Sequence, residues 1–168
     1  MTCVQAVVAI FPEAWRLRKV HWQLFVTLTF RADLLSLSSR RKLLFSWLRK
    51  TAEVPPKVHF KRLLWVARYE RGGSSRRGHY HLCIAGKGRD AVTVALCVSL
   101  EAAWCQLSGA RSEVRPYDHG RDGVGYVLKL PAQLVTGTNW ASVKMNDGDD
   151  QIPTLSKSLF AALRRGRM

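Results

Sequence analysis

The chain is short of acidic groups and lacks several familiar signatures. Only 12 Asp and Glu stand against 27 Lys and Arg in 168 residues, which leaves a formal charge of +15 and a pI near 10.5. So large an excess of one sign predicts a polyanionic partner. No apolar run approaches the ~20 residues that a membrane span requires, so the charge is aimed at nucleic acid rather than at lipid headgroups. The four cysteines, Cys3, Cys83, Cys97 and Cys105, form no Cys-x-x-Cys pair and no Cys/His zinc spacing. Reduced thiols in a cytoplasmic protein are therefore expected. A phosphate-binding Gly-x-x-x-x-Gly-Lys-Ser/Thr loop is missing, and Gly86-Lys87-Gly88 reads only as a turn carrying a charge. Any unwinding or nucleotide hydrolysis would then fall to another protein. The apolar stretch Met1 to Phe11 has no basic leader and runs into Pro12-Glu13, so no signal peptide is expected. There are no internal repeats.

What is present is enough to fold. With 47% hydrophobic residues, six Trp and six Phe, the chain is too rich in core-forming side chains for a disordered basic tail. Its length suits one domain spanning residues 1–168. The six tryptophans are expected mainly in the core.

Phe25 to Phe30 is a β-branched and aromatic run that predicts a central strand, with Thr27 and Thr29 on one face and Val26, Leu28 and Phe30 on the other. Leu43, Leu44, Trp47 and Leu48 then recur at helical spacing, opposite Lys42, Ser46, Arg49 and Lys50, in a helix that ends before Pro55-Pro56. Leu63 to Glu70 and His79 to Ala85 are strand-like and flank a Gly/Ser/Arg-rich turn, which predicts an antiparallel hairpin with a basic tip. Asp90 to Leu107 is ambiguous at its start and helical in its second half, up to Gly109. Ser112 to Tyr117 reads as a short strand, and Asp122 can cap a short helix carrying Tyr126 and Lys129. A polar, acidic stretch follows, and Leu155 to Met168 is a basic amphipathic end within an extension over about 137–168. This order predicts an α+β fold, a central antiparallel sheet covered by helices on one face, with the edge strands unassigned.

Three groups of residues can carry chemistry. His79 and His81 are two apart in a strand, so both imidazoles lie on one face while Tyr80 points to the other. Glu70, across the hairpin turn, offers a hard oxygen as a third ligand, and two nitrogens with one carboxylate suit a divalent ion such as Mg or Mn. Tyr126 and Lys129, at i and i+3, put a phenol and an ammonium on neighbouring helix positions. A phenol with a reference pKa near 10 is a poor nucleophile until a cation stabilises the phenolate or the phosphate under attack. Taken singly, the His pair also fits two solvated side chains, and the Tyr-Lys pair a core cap beside a solubilising charge.

Taken together and in order, Phe25-Val26-Thr27-Leu28-Thr29-Phe30, Glu70 ahead of His79-Tyr80-His81, and Tyr126-Val127-Leu128-Lys129 resemble the three motifs of the HUH endonucleases. The chain is most similar to the one-tyrosine rolling-circle replication initiators of small plasmids and single-stranded DNA viruses, over roughly residues 23–130. Tyr80 stands where the family usually has a hydrophobic residue, and Tyr126 has no second tyrosine one helical turn away. The resemblance implies a ferredoxin-like or RRM-like sheet in which His79, His81 and Glu70 hold the ion. It further implies that Tyr126 is the nucleophile, Lys129 holds the phosphate or phenolate, and the first motif is scaffold. The implied activity nicks and rejoins single-stranded origin DNA at a hairpin or nick site. A 5′-phosphotyrosine forms and a free 3′-hydroxyl is left, with a host helicase and polymerase acting in trans and no membrane involved.

Phosphate contacts are expected from Arg76 and Arg77 at the hairpin tip and from Arg40, Arg41, Arg49 and Lys50 on the first helix. Three other functions fit parts of this pattern. A single-domain HUH transposase would favour dimers with exchanged tyrosine helices. A silent single-stranded nucleic-acid-binding module would use the same residues only as contacts. An iron oxygenase with two His and one Glu matches the ligands but not the +15 charge or the Tyr-Lys pair.

Overall fold

The computed structural model describes residues 14–31, 35–70, 77–88, 90–128, 154–156 and 159. After a 3-10 turn over Ala14–Lys19 come strand β1 (Leu24–Thr29), helix α1 (Leu37–Glu53), a second 3-10 turn (Phe60–Arg62), β2 (Leu64–Glu70) and β3 (His79–Ala85). Helix α2 (Val94–Ser108), β4 (Ser112–Pro116), helix α3 (Gly123–Val127) and the two-residue β5 (Thr154–Leu155) complete the order. The strands lie as β4-β1-β3-β2-β5, with every neighbouring pair antiparallel. From β1 to β4 this is the β-α-β-β-α-β arrangement of ferredoxin-like folds. The α+β sheet with a central β1 is therefore as expected, and β4 and β5 are its edges.

Strand alternation builds two different faces. Leu24, Val26 and Leu28 of β1, Trp65, Ala67 and Tyr69 of β2, and Tyr80, Leu82 and Ile84 of β3 point to one side. There they meet Leu44, Trp47 and Leu48 of α1 and Leu96, Leu100 and Trp104 of α2. The deep indoles are satisfied, Trp47 donating to the carbonyl of Leu100 and Trp104 to that of Thr29, both at 2.9 Å. Trp22, Trp47, Trp65 and Trp104 are all buried, as expected of core tryptophans.

The expectation that helices cover one face needs correction. A second, smaller core lies on the other face, where Leu17, Trp22, Val66, Cys83, Val124, Val127 and Leu159 are buried together. The 3-10 turn and α3 supply its cover, because β2 and β3 carry apolar side chains on both faces at their middles. Polar side chains occupy the remainder of that face, and the candidate site is there.

The helices begin and end where local chemistry directs. Ser36 caps α1 by accepting from the amide of Ser39, and Thr93 caps α2 through the amide of Leu96, each at 3.1 Å. The ambiguous stretch from Asp90 is thereby resolved: Thr93 closes the loop and the helix starts at Val94. Gly109, at φ 64°, ends α2 in the left-handed conformation, its amide donating to Cys105 at 2.8 Å.

Lys87 departs from the expected solvated turn. It is 2% exposed, and its ammonium donates to the carbonyls of Thr51 (2.7 Å) and Val54 (2.6 Å) at the C-terminus of α1. Gly86 and Gly88, at φ 98° and 97°, let the chain turn inward on either side, and Gln23 holds both the Lys87 amide and the Gly88 carbonyl. Of the expected C-terminal amphipathic end, only Leu155, Ser156 and Leu159 are described. β5 had no counterpart in the sequence reading, since two residues paired to Val66 and Ala67 leave no period to detect. Among the described residues no helix is long and apolar enough to cross a membrane.

Candidate metal centre and nucleophile

The β2–β3 register sets Glu70 directly across from His79 and Arg68 across from His81. All four side chains share one face, and the β1 register adds Thr27 opposite His81. The ligand atoms of Glu70, His79 and His81 all lie within 4.8 Å of one another, a spacing at which the three could hold a metal ion. Glu70 Oε2 is 3.9 Å from His79 Nε2 and 3.7 Å from His81 Nε2. Both imidazoles thus turn the same nitrogen toward the carboxylate.

Their other nitrogens are held from outside. His79 Nδ1 lies 3.3 Å from the carbonyl oxygen of Arg77 and His81 Nδ1 lies 3.1 Å from Thr27 Oγ1. A carbonyl only accepts, so His79 carries its proton on Nδ1 and keeps the Nε2 lone pair aimed inward. The Thr27 hydroxyl can accept from His81 Nδ1, which would leave the Nε2 lone pair of His81 facing inward as well. Such outer partners fix ligating imidazoles in orientation and in tautomer. Burial pushes the pKa of His81 down to about 4, with the neighbouring His79, Arg68 and Arg115 acting in the same direction. Near pH 7 it is a neutral donor.

Glu70 is held by Arg68, whose Nε is 3.5 Å from Glu70 Oε1. That leaves Oε2 facing the imidazoles. Arg68 is 6% exposed, so its guanidinium sits beside the carboxylate with little solvent to screen it.

Tyr126 reaches this cluster from α3. Asp122 caps the helix, accepting from the Gly125 amide at 3.0 Å, and Arg18 pairs with the same carboxylate. The Tyr126 hydroxyl lies 3.5 Å from both Glu70 Oε2 and His81 Nε2. Its ring stands edge-on to His81, with centroids 4.9 Å apart. Burial raises the phenol pKa first, the Glu70 charge and its hydrogen bond raise it further, and Arg68 pulls the other way. A cation held by the trio would cancel the Glu70 contribution. The other tyrosines are placed differently: Tyr69 and Tyr80 belong to the core on the opposite face, and the Tyr117 hydroxyl accepts from the Val124 amide at 3.0 Å.

The residues expected from sequence are therefore divided. Glu70, His79, His81 and Tyr126 come together. Lys129 and Arg76 lie outside the described residues. Arg77 is exposed at the start of β3 and contributes its carbonyl to His79. Arg40, expected to meet phosphate, is corrected: it is 4% exposed with its guanidinium 3.9 Å from the centre of the Tyr69 ring, because it faces the sheet from α1. Arg41, Arg49 and Lys50 are exposed, but α1 covers the face of the sheet opposite the trio. Thr27 and Arg68 were missed as site residues. Arg68 was findable, since it precedes Glu70 by two in a strand, whereas the role of Thr27 required the register between β1 and β3.

No protein-family model matches this chain, and neither a curated protein nor a solved structure does so. The chain itself defines an α+β protein of ferredoxin-like topology, with a metal-competent trio on one hairpin and a tyrosine hydroxyl against it.

Proposed function

We propose that the protein is an endonuclease and strand transferase of single-stranded DNA, acting through a covalent 5′-phosphotyrosine, and that it serves as a rolling-circle replication initiator. The observation that carries this reading is the Tyr126 hydroxyl 3.5 Å from Glu70 and His81, beside three inward-facing ligand atoms. The +15 charge supplies the affinity for a polyanion.

Glu70, His79 and His81 would hold Mg or Mn, which supplies Lewis-acid neutralisation of a phosphate oxygen. The chain's own groups do the rest. Glu70, anchored by Arg68, and the two imidazoles, fixed through Thr27 and the Arg77 carbonyl, keep their lone pairs convergent. Asp122 and α3 hold the phenol of Tyr126 at the edge of that set. Tyr126 Oη bonds to phosphorus as the bond from phosphorus to the 3′-oxygen breaks, and the proton lost by the phenol is balanced by the one taken up by the departing 3′-oxygen, which leaves as a 3′-hydroxyl. One phosphate diester replaces another, so no nucleotide is consumed and the reaction can run backwards to rejoin the strand.

Mass spectrometry after incubation with single-stranded DNA and Mn or Mg tests this directly. The expected result is a protein–DNA adduct on Tyr126, lost in Tyr126→Phe with binding retained and lost with chelator. Absence of any adduct would leave a silent single-strand-binding module as the better description.

A further inference from the structure

Beside the trio, on the β1 and β4 side of His81, the same face of the sheet opens into a pocket of about 680 Å³. That volume accommodates one nucleotide. The pocket shares two of its lining residues, His81 and Tyr126, with the trio and nucleophile. A strand whose phosphate lies at the Tyr126 hydroxyl therefore has a ready place for an adjacent base.

The lining is suited to such a base. The rings of Phe25, Tyr117 and Tyr126 supply apolar faces, Phe25 and Tyr126 meeting edge-on at 6.3 Å. Arg115 places its guanidinium 5.0 Å from the centre of the Phe25 ring. Gly123 keeps this side close: a methyl group there would come within 2.9 Å of the Tyr117 ring and 3.0 Å of Phe25. Glu113 lies across from Thr27 in the register, with β1 between it and His81, and its Oε1 pairs with Arg115 at 3.3 Å. A carboxylate only accepts hydrogen bonds, so it selects bases that present an amino group. Adenine, cytosine and guanine do; thymine offers only its N3–H, which is flanked by two carbonyl oxygens that repel a carboxylate.

We propose that this pocket seats one unpaired nucleobase bearing an exocyclic amino group, next to the phosphate attacked by Tyr126, and that Glu113 reads the amino group. The inference rests on the nuclease reading for its position along the strand, but base binding itself does not depend on cleavage.

The test has two arms. In the first, the wild-type protein and Mn are given a pool of single-stranded DNA with randomised sequence, and the covalently captured strands are sequenced. The expected result is depletion of thymine by about tenfold at one position within two nucleotides of the linked phosphate, and loss of that depletion in Glu113→Gln. Glu113 has a side chain 62% exposed on an edge strand, so the substitution leaves the core intact. Captured strands with no base bias beside the phosphate, or a bias unchanged in Glu113→Gln, would overturn the assignment. In the second arm, Tyr126→Phe protein is titrated by NMR with dAMP, dCMP, dGMP and dTMP. The three amino-bearing nucleotides are expected to shift the Phe25, Glu113 and Gly123 resonances at lower concentration than dTMP, and equal shifts by all four would overturn it. If the wild type forms no adduct while the titration discriminates, the nuclease reading fails and the base pocket stands.

Discussion

At the scale of single residues, the geometry makes Thr27 more than a strand former. Its hydroxyl is the outer partner of His81, and loss of such a partner weakens metal binding by about ten- to a hundredfold. Titration calorimetry with Mn is expected to show that loss in Thr27→Val and recovery in Thr27→Ser; equal affinities in all three would remove Thr27 from the site. His79→Ala and His81→Ala should each abolish chelator-sensitive adduct formation. His81 also predicts an acid-side change in stability. Its pKa is about 4 in the folded protein against 6.5 unfolded, so between those values the unfolded chain binds a proton that the folded chain refuses. Stability is therefore full above pH 6.5 and falls as the pH drops toward 4, by no more than about 3 kcal/mol. Urea midpoints of metal-stripped protein across that window should fall more steeply for the wild type than for His81→Gln, and parallel curves would reassign the effect. Glu70, His79 and His81 were legible in the chain because a strand period of two and the ends of one hairpin are local properties, whereas Tyr126, on a separate helix, was singled out through the order of the three motifs. Thr27 and Arg115 were not, since their meaning comes from strands paired across long stretches of sequence.

At the scale of elements, strand and helix periods located nearly every described segment, and β3 matches its expected bounds of His79 to Ala85. Lys87 shows where that kind of reading ends. A lysine between two glycines reads as solvated, yet here its ammonium closes the last carbonyls of α1, a favourable place for a cation. Nothing in the local sequence signals that two ends distant along the chain meet. Lys87→Met keeps the apolar stem and removes the donor, so it should lower the urea midpoint by an amount equivalent to about 1–3 kcal/mol while leaving Mn affinity intact. A midpoint equal to the wild type would mean that the ammonium adds nothing. The second core, under the 3-10 turn and α3, escaped notice for a related reason: apolar residues on both faces of β2 and β3 give a continuous run rather than an alternation.

At the scale of the whole molecule, the excess of positive charge is divided by the sheet. Arg41, Arg49 and Lys50 ride on α1 on one side, whereas Arg115 and Arg121 border the pocket on the other. A strand of eight nucleotides laid across the site is expected to bind with salt-dependent affinity. Changing Arg115 and Arg121 to Gln should weaken that binding and flatten the salt dependence by about 0.7 in log–log slope for each phosphate that is no longer neutralised. Changing Arg41, Arg49 and Lys50 to Gln should leave it unaltered. Equal weakening by both sets, measured by fluorescence anisotropy, would show that the path of the strand is not confined to the site face. The total charge was readable from composition, but its partition between faces depends on which side of the sheet each helix covers.

The three ligand side chains fall within residues 70–81, on two strands joined directly, whereas the phenol comes from a helix about 45 residues further along the chain. Because a polypeptide leaves the ribosome from its N-terminus, the hairpin that carries Glu70, His79 and His81 emerges before Tyr126. Under the proposed nuclease reading, a half-made chain would lack its nucleophile, and nascent copies would leave single-stranded DNA nearby uncut.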